Sequence, residues 1–184
     1  PNICHVSNSR KGKQMDKRQE LEQYIIARRR HIHENPELGF ECEQTHDYIR
    51  SELKKLNIPN HPHVGKNSIV ATIKNGDGPT VGLRADFDAL PLQEDTGLEF
   101  ASKNDGKMHA CGHDAHTGML LGAAKYLSEH QDEWKGTVKL IFQEAEEGPN
   151  PGGALGIIAS GLVDDCDTFF ALHVSGDDDT GKFL

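Results

Sequence analysis

The segment "DAHTGMLLGAAKYLSEHQDEWKGTVKLIF" at residues 114–142 decides the fold class, because its hydrophobic period changes part-way along. Up to about residue 130 the apolar residues recur at helical spacing, whereas 137–142 is a short run of apolar and β-branched residues. The first pattern predicts a helix over 114–130, and the second predicts a buried strand over 137–142. A helix that leads directly into a buried strand is the repeating unit of an α/β layer fold.

The same alternation extends to both sides of this segment. Helical spacing predicts further helices at 16–34, 42–56 and 152–161. Short β-branched runs predict further strands at 68–73, 80–86 and 168–174, the last of them buried. The turn cluster "NGDGP" at 75–79 predicts that the first two of these strands form a hairpin. We therefore predict an α/β fold with a mixed, largely parallel sheet and helices on both faces.

The composition excludes several classes of function. The formal net charge of -9 argues against nucleic acid or an anionic membrane surface as the main partner. The chain contains no run of about 18 apolar residues, so it predicts no transmembrane helix. The four cysteines are scattered without a CxxC pair. This spacing favours free thiols in a reducing cytoplasm over a disulfide framework.

Candidate chemical groups follow the ends of three predicted strands. Asp86 and Asp88 lie at and just after the end of strand 80–86, and the pair Glu146 and Glu147 follows strand 137–142. His173 lies near the end of strand 168–174. Ligands of open α/β sheets gather at the carboxyl ends of the strands, so we expect these side chains to converge.

The loop "HACGHD" before helix 114–130 contains the pair Cys111 and His113. A thiolate and an imidazole two residues apart suit zinc and its first-row neighbours. The alternative is a structural cysteine beside a capping segment, with Asp114 as the helix N-cap. The nearby His109 and His116, together with the groups at the strand ends, favour a metal site.

The remaining candidates leave several roles open. Adjacent carboxylates repel each other, and a metal cation would compensate Glu146 and Glu147 if one bound it and the other acted as general base. The residues alone do not rank the two. Asp86 and Asp88 could each bind metal, orient a ligand histidine or cap a turn. His173 could instead be a hydrogen-bonded core histidine.

Five segments carry a resemblance to a known family. They are "RRRHIHENPELGFE" (28–41), "GLRADFDALPLQE" (82–94), "MHACGHDAHTGMLLGAAKYL" (108–127), "GTVKLIFQEAEEG" (136–148) and "FALHV" (170–174). In this order they resemble the amidohydrolase branch of the aminoacylase and carboxypeptidase-G-type metallopeptidases. That branch includes N-acyl-amino-acid amidohydrolases, hippurate hydrolases and auxin-conjugate hydrolases. The resemblance implies a zinc-aminopeptidase-like catalytic domain.

The resemblance also implies a site with two divalent metal ions, zinc or manganese, with cobalt or nickel tolerated. By it, Cys111 bridges the metals, and His113, Glu147 and His173 are further ligands. Glu146 becomes the general base, and we predict Asp86 as a second catalytic residue.

The implied reaction is hydrolysis of the amide bond of N-acyl amino acids by a metal-activated water. Glu146 takes a proton from this water and passes it to the leaving amine. A neighbouring alternative is a dipeptidase or aminopeptidase of the same superfamily, whose members typically use aspartate where Cys111 stands. A third alternative is a non-catalytic zinc-binding module.

The sequence and the resemblance together predict how the chain is organised. Met15 opens the first regular pattern, so residues 1–14 are predicted to be an unstructured leader or a remnant of an expression vector. Residues 15–184 are predicted to be the N-terminal half of the catalytic domain, without the lid domain, through which the family forms homodimers, and without the last histidine ligand. We expect this half to have little or no activity alone.

Overall fold

The computed structural model describes residues 16–177 and 179–182, so the predicted leader at 1–14 lies outside the described residues. The helices are α1 (Lys17–Glu34), α2 (Glu43–Lys55), α3 (His113–Glu129) and α4 (Ala154–Ala159). The strands are β1 (Asn60–Val64), β2 (Ser68–Asn75), β3 (Thr80–Asp86), β4 (Gly136–Gln143) and β5 (Thr168–Ala171). Each predicted element is present within a few residues of its predicted bounds.

The described strands form one mixed sheet in the order β1-β2-β4-β3-β5. β4, β3 and β5 run parallel, and β2 is antiparallel to both β1 and β4. Within the described sheet, β2 is therefore the one strand that runs against the others. This arrangement confirms the predicted mixed, largely parallel sheet.

The predicted hairpin between β2 and β3 is wrong, because β4 lies between them. β4 pairs with β2 from Ile69↔Phe142 to Asn75↔Gly136, and it pairs with the whole of β3, from Thr80↔Thr137 to Asp86↔Gln143. The turn at 75–79 separates the two strands, and the later strand occupies the gap. β4 is almost entirely buried, so a central position with neighbours on both sides suits its apolar side chains better than an edge.

Side chains alternate between two faces of the sheet, and helices cover both. On one face Ile69, Ala71 and Leu140 belong to the large core that α2 and α3 complete. On the other face Val70 and Ile141 pack with the α4 side. This period of two confirms the prediction of helices on both faces.

Strand β5 differs from the predicted buried strand 168–174. It ends at Ala171, and Phe169 and Phe170 are 52% and 59% exposed. The reason is its position, since β5 is the outermost strand of the described sheet on that side. His173 therefore lies in the irregular segment that follows the strand.

The start of α3 also differs from prediction. The N-cap is Gly112, whose φ of 85° is in the left-handed region that favours glycine, and Asp114 lies inside the helix. The Asp114 carboxylate instead contacts His33 Nδ1 at 2.8 Å and accepts a hydrogen bond from Arg29 Nε at 3.0 Å. Asp114 thus connects α3 to α1. In the described residues no helix has the length and apolar character needed to cross a membrane.

Candidate metal centre

The side chains that follow β3, β4 and β5 meet the residues at the start of α3. Three groups have potential ligand atoms within 4.8 Å of one another: Cys111–His113–His173, His113–Glu146–Glu147 and Asp86–His113–His116. His113 belongs to all three. The structure therefore brings together every residue that we predicted for the metal site.

The His113 ring is fixed at one nitrogen and open at the other. Its Nδ1 lies 2.8 Å from the backbone carbonyl oxygen of Asp88. A carbonyl only accepts, so Nδ1 carries a proton, and in the neutral ring Nε2 presents a lone pair. Nε2 is buried without a hydrogen-bond partner among the described residues, and it lies 3.7 Å from carboxylate oxygens of both Glu146 and Glu147. A buried acceptor without a donor fits a position facing a metal ion.

His173 has the same arrangement. Its Nδ1 lies 2.7 Å from the backbone carbonyl oxygen of Val174, so the proton is again on Nδ1. Its Nε2 lies 3.4 Å from the Cys111 sulfur. Metal-binding histidines generally donate their second ring N–H to such an oxygen, which orients the ring and sets its tautomer.

A tight turn places the two glutamates. Ala145, between β4 and the glutamates, has a φ of 49°, which is uncommon for a residue with a side chain. The buried carboxylate of Asp88 accepts from the backbone N–H of Glu146 at 2.9 Å and from that of Glu147 at 3.0 Å. The Glu146 side chain is 43% exposed and the Glu147 side chain 24%. Glu146 is therefore the more solvent-accessible of the two glutamates.

Asp86 and His116 form a buried pair beside this centre. His116 Nδ1 lies 2.6 Å from Asp86 Oδ1, and Arg84 contacts the other carboxylate oxygen at 2.6 Å. The backbone N–H of Val174 donates to His116 Nε2 at 3.0 Å. Both ring nitrogens of His116 are therefore engaged, and the Asp86–His113–His116 group is not a free set of ligands.

The electrostatics of the centre favour a cation. Burial, followed by the hydrogen bond and charge of Glu147, raises the pKa of the Cys111 thiol to about 11. Burial opposes ionisation of Asp86, but the His116 hydrogen bond and the charges of His113 and Arg84 outweigh it and lower the Asp86 pKa to about 2. Several carboxylates thus surround one thiol. A bound dication would lower the pKa of the Cys111 thiol and stabilise the thiolate.

The donor set fits the metals that the sequence predicted. It combines a thiol, the Nε2 atoms of two imidazole rings and a carboxylate, all suited to zinc and related first-row ions. The fit depends on the chemistry of the donors and on the buried, unpaired Nε2 of His113.

Comparison with known proteins identifies the family. The model of the peptidase family M20/M25/M40 matches residues 82–183, more than half of the chain. The chain belongs to this family. The matched region contains every candidate metal ligand, which confirms the resemblance inferred from the sequence motifs.

Two relatives of this M20/M25/M40 chain have informative names. The IAA-amino acid hydrolase ILR1-like 5 of Arabidopsis thaliana is 48% identical over 159 residues, which cover 86% of this chain and 36% of that protein. The N-acetyl-L-cysteine deacetylase of Bacillus subtilis (strain 168) is 47% identical over 154 residues, 83% of this chain and 36% of that protein. The chain spans about a third of the length of these curated relatives.

A solved structure supports the fold. The Bacillus subtilis YXEP protein, described as a dinuclear metal binding peptidase from the M20 family, superposes with a TM-score of 0.81 at 42% identity. The match covers 86% of this chain and 44% of that one. The likeness confirms the predicted α/β class of this family member.

Sequence reasoning left the role of Asp88 in this M20/M25/M40 chain undecided. The structure shows a turn cap: both carboxylate oxygens accept backbone N–H groups of the glutamate pair. Its position after strand β3 was the available signal, since aspartate commonly caps turns. His109, by contrast, belongs to none of the three groups of potential ligands, and burial lowers its pKa to about 4.

Proposed function

We propose that this chain is the N-terminal half of the catalytic domain of a metal-dependent amidohydrolase that cleaves the amide bond of N-acyl amino acids. One observation carries the proposal. His113 and His173 both use Nδ1 to contact a backbone carbonyl, which directs Nε2 of each ring towards the glutamate pair or the Cys111 thiol. The names of the plant hydrolase and the bacterial deacetylase support the substrate class.

The metals in this proposal are two divalent ions, zinc or manganese, with cobalt or nickel also compatible. Cys111 would bridge them, and His113, Glu147 and His173 would be the other ligands from this chain. When bound, such a pair polarises the substrate carbonyl and makes water more acidic. The thiolate and imidazole donors favour zinc over magnesium or calcium.

Glu146 is the proposed general base. Its backbone is held by Asp88, and its side chain is the more exposed of the two glutamates. It takes a proton from the attacking water while the oxygen–carbon bond forms. As the carbon–nitrogen bond breaks, it returns that proton to the departing amine.

The predicted catalytic role of Asp86 becomes more specific in this proposal. Asp86 is buried, and both of its carboxylate oxygens are engaged by Arg84 and His116. We therefore assign it a positioning role through His116 rather than contact with substrate.

Two alternatives remain distinct from this proposal. A dipeptidase or aminopeptidase of the same family would cleave a peptide bond beside a free amine, and the names of the two relatives favour an acylated amine instead. A structural zinc site would use Cys111, His113 and His173 but needs no carboxylate base beside them. The position of Glu146 favours hydrolysis.

The complete protein is proposed to add the lid domain, the last histidine ligand and a homodimer interface. This proposal rests on the family resemblance and on the chain's spanning about a third of its curated relatives. A reducing cytoplasm is the proposed location. In the described part of the chain, Cys42, Cys111 and Cys166 are free thiols, which is compatible with it.

The test uses the complete, metal-reconstituted protein and an N-acyl amino acid such as N-acetylcysteine. Glu146→Gln should retain its metal and lose about 100- to 10,000-fold in kcat, because it removes only the base. Glu147→Gln should lose metal. Glu99→Gln, at an exposed residue that belongs to none of the groups of potential ligands, is the matched control. Unchanged hydrolysis by Glu146→Gln would refute the proposed mechanism, and cleavage of dipeptides alone would support the peptidase alternative.

A further inference from the structure

The segment after β5 carries the ligand His173, although strand pairing ends at Ala171. Two contacts hold the next residue, Val174. Its backbone N–H donates to His116 Nε2 at 3.0 Å. Its side chain packs on Gly112, where an added Cβ would lie only 2.3 Å from Val174 Cγ2. These contacts join the segment to the start of α3.

His116 is well placed to fix this segment. It is 3% exposed, and its Nδ1 lies 2.6 Å from the carboxylate of Asp86. The next residue, Thr117, donates to the Asp86 backbone carbonyl at 2.8 Å, so α3 and the end of β3 are joined twice. The His116 ring therefore has little freedom to move relative to either element.

The backbone of Val174 connects His116 to His173 in the proposed metal centre. Its N–H is bonded to His116, and its carbonyl accepts from His173 Nδ1 at 2.7 Å. A continuous series of hydrogen bonds thus runs from Asp86 through His116 and Val174 to His173. Because His113 lies one turn before His116 on α3, the same helix sets the positions of both histidine ligands.

We infer that His116 is a positioning residue that sets the place of His173 through the backbone of Val174. This inference rests on the proposed metal site. His116 would not itself bind metal, because its Nδ1 is committed to Asp86 and its Nε2 to Val174. Its Nε2 must be unprotonated to accept from Val174, so the proton is on Nδ1.

Two substitutions separate the two contacts of His116. His116→Asn keeps a donor near the Nδ1 position for Asp86 but removes the acceptor for Val174. His116→Gln keeps an oxygen acceptor near the Nε2 position and loses the donor to Asp86. Thr117→Val is the matched control, because it removes a buried hydrogen bond to the same β3 residue without touching Val174.

The first measurement uses NMR on the complete protein without metal. The ¹⁵N shifts of His116 should show a protonated Nδ1 and an unprotonated Nε2. The Val174 amide should exchange slowly in the parent and in Thr117→Val. In His116→Asn its exchange should be at least about 10-fold faster, with His116→Gln intermediate. The opposite tautomer of His116 would overturn the inference without any variant, as would an unprotected Val174 amide in the parent.

The second measurement is zinc affinity by chelator competition on the same complete protein, with thermal unfolding to compare stabilities. His116→Asn should bind zinc about 10- to 100-fold more weakly, as for loss of other groups that orient a ligand. His116→Gln should recover part of this loss, and Thr117→Val should match the parent. If the Val174 amide lost its protection from exchange in His116→Asn but the variant bound zinc as tightly as the parent, the positioning role would be refuted. A parent that binds no zinc would refute the proposed function instead.

Discussion

The carboxylate of Asp88 accepts the backbone N–H of Glu147 at 3.0 Å, and its second oxygen accepts that of Glu146 at 2.9 Å. Asp88 is 1% exposed, and its backbone carbonyl also anchors His113. One residue just after β3 therefore orients a proposed ligand from α3 and both glutamates after β4. The centre depends on this residue although Asp88 is not among the proposed ligands.

Asp88→Asn is expected to disrupt the glutamate turn. An amide offers one oxygen in place of two, and its NH₂ group would face a backbone N–H that cannot accept. The free energy of unfolding should fall by about 2–3 kcal/mol, as for loss of a buried hydrogen bond to a charged group. Urea unfolding and metal content measure the two effects. Asp77→Asn, in the exposed turn before β3, is the control, and equal behaviour of the two variants would contradict the role of Asp88.

Cys111→Ser is expected to weaken metal binding. A serine hydroxyl is a harder and far less acidic donor than a thiol, so zinc should lose its preferred ligand. Elemental analysis after reconstitution with zinc should find two ions in the complete parent protein and the loss of both in the variant. Cys166→Ser, which removes a partly exposed thiol outside the centre, should keep both ions. Retention of both ions by Cys111→Ser would exclude a bridging role.

Glu52 is expected to make stability depend on pH. Burial opposes its ionisation, but hydrogen bonds from Lys55 and Arg28 outweigh burial and lower its pKa below the ordinary value of 4.5. A carboxylate with a lowered folded-state pKa stabilises the protein above its unfolded-state pKa, and this stability is lost as the pH falls through the folded-state value. The parent should therefore lose stability below about pH 4.5.

Glu52→Gln tests this dependence. At pH 7 the variant should be less stable than the parent by about 1–3 kcal/mol, because the part-buried Arg28 contact at 2.8 Å loses its charged partner. The difference should shrink as the pH falls towards 3, measured by urea unfolding at each pH. Glu22→Gln, on the exposed side of α1, should show no such trend. A difference independent of pH would mean that Glu52 acts through packing alone.

Gly122 is expected to be required for the close approach of α1 and α3. A Cβ at this position would lie 2.4 Å from Ile25 Cγ1. Gly122→Ala should therefore cost about 1–3 kcal/mol through overpacking, despite the higher helix propensity of alanine. The double variant with Ile25→Ala should recover part of the loss in thermal unfolding. Gly176→Ala, where no neighbour lies within 4 Å, is the control. Simple additivity of the two substitutions would contradict direct contact.

Local patterns were sufficient to predict most elements of this fold. The helical period of α3 and the apolar run of β4 each depend on residues close together in the chain, and both were predicted within two residues of their bounds. β1 was not predicted, because "NHPHV" contains a proline and polar residues that are typical of loops. It forms at the sheet edge, where the missing N–H of proline is tolerated.

The candidate site was predictable as a set of residues because carboxyl ends of parallel strands share one edge of a sheet. Cys111, His113, Glu146, Glu147 and His173 were therefore expected to meet, and they do. Their metal and base roles remain proposals.

Tertiary structure alone decided how the strands pair and which partner each polar group finds. β4 separates β2 from β3, Asp114 bonds to a histidine 81 residues away, and His116 accepts from a backbone N–H 58 residues away. A local pattern sets which way a side chain faces, but hydrogen-bond partners and strand neighbours depend on which distant segments are buried together. Asp86 contacts His116, whereas Asp88 caps the glutamate turn. The two aspartates have different partners because different distant segments are buried beside each of them.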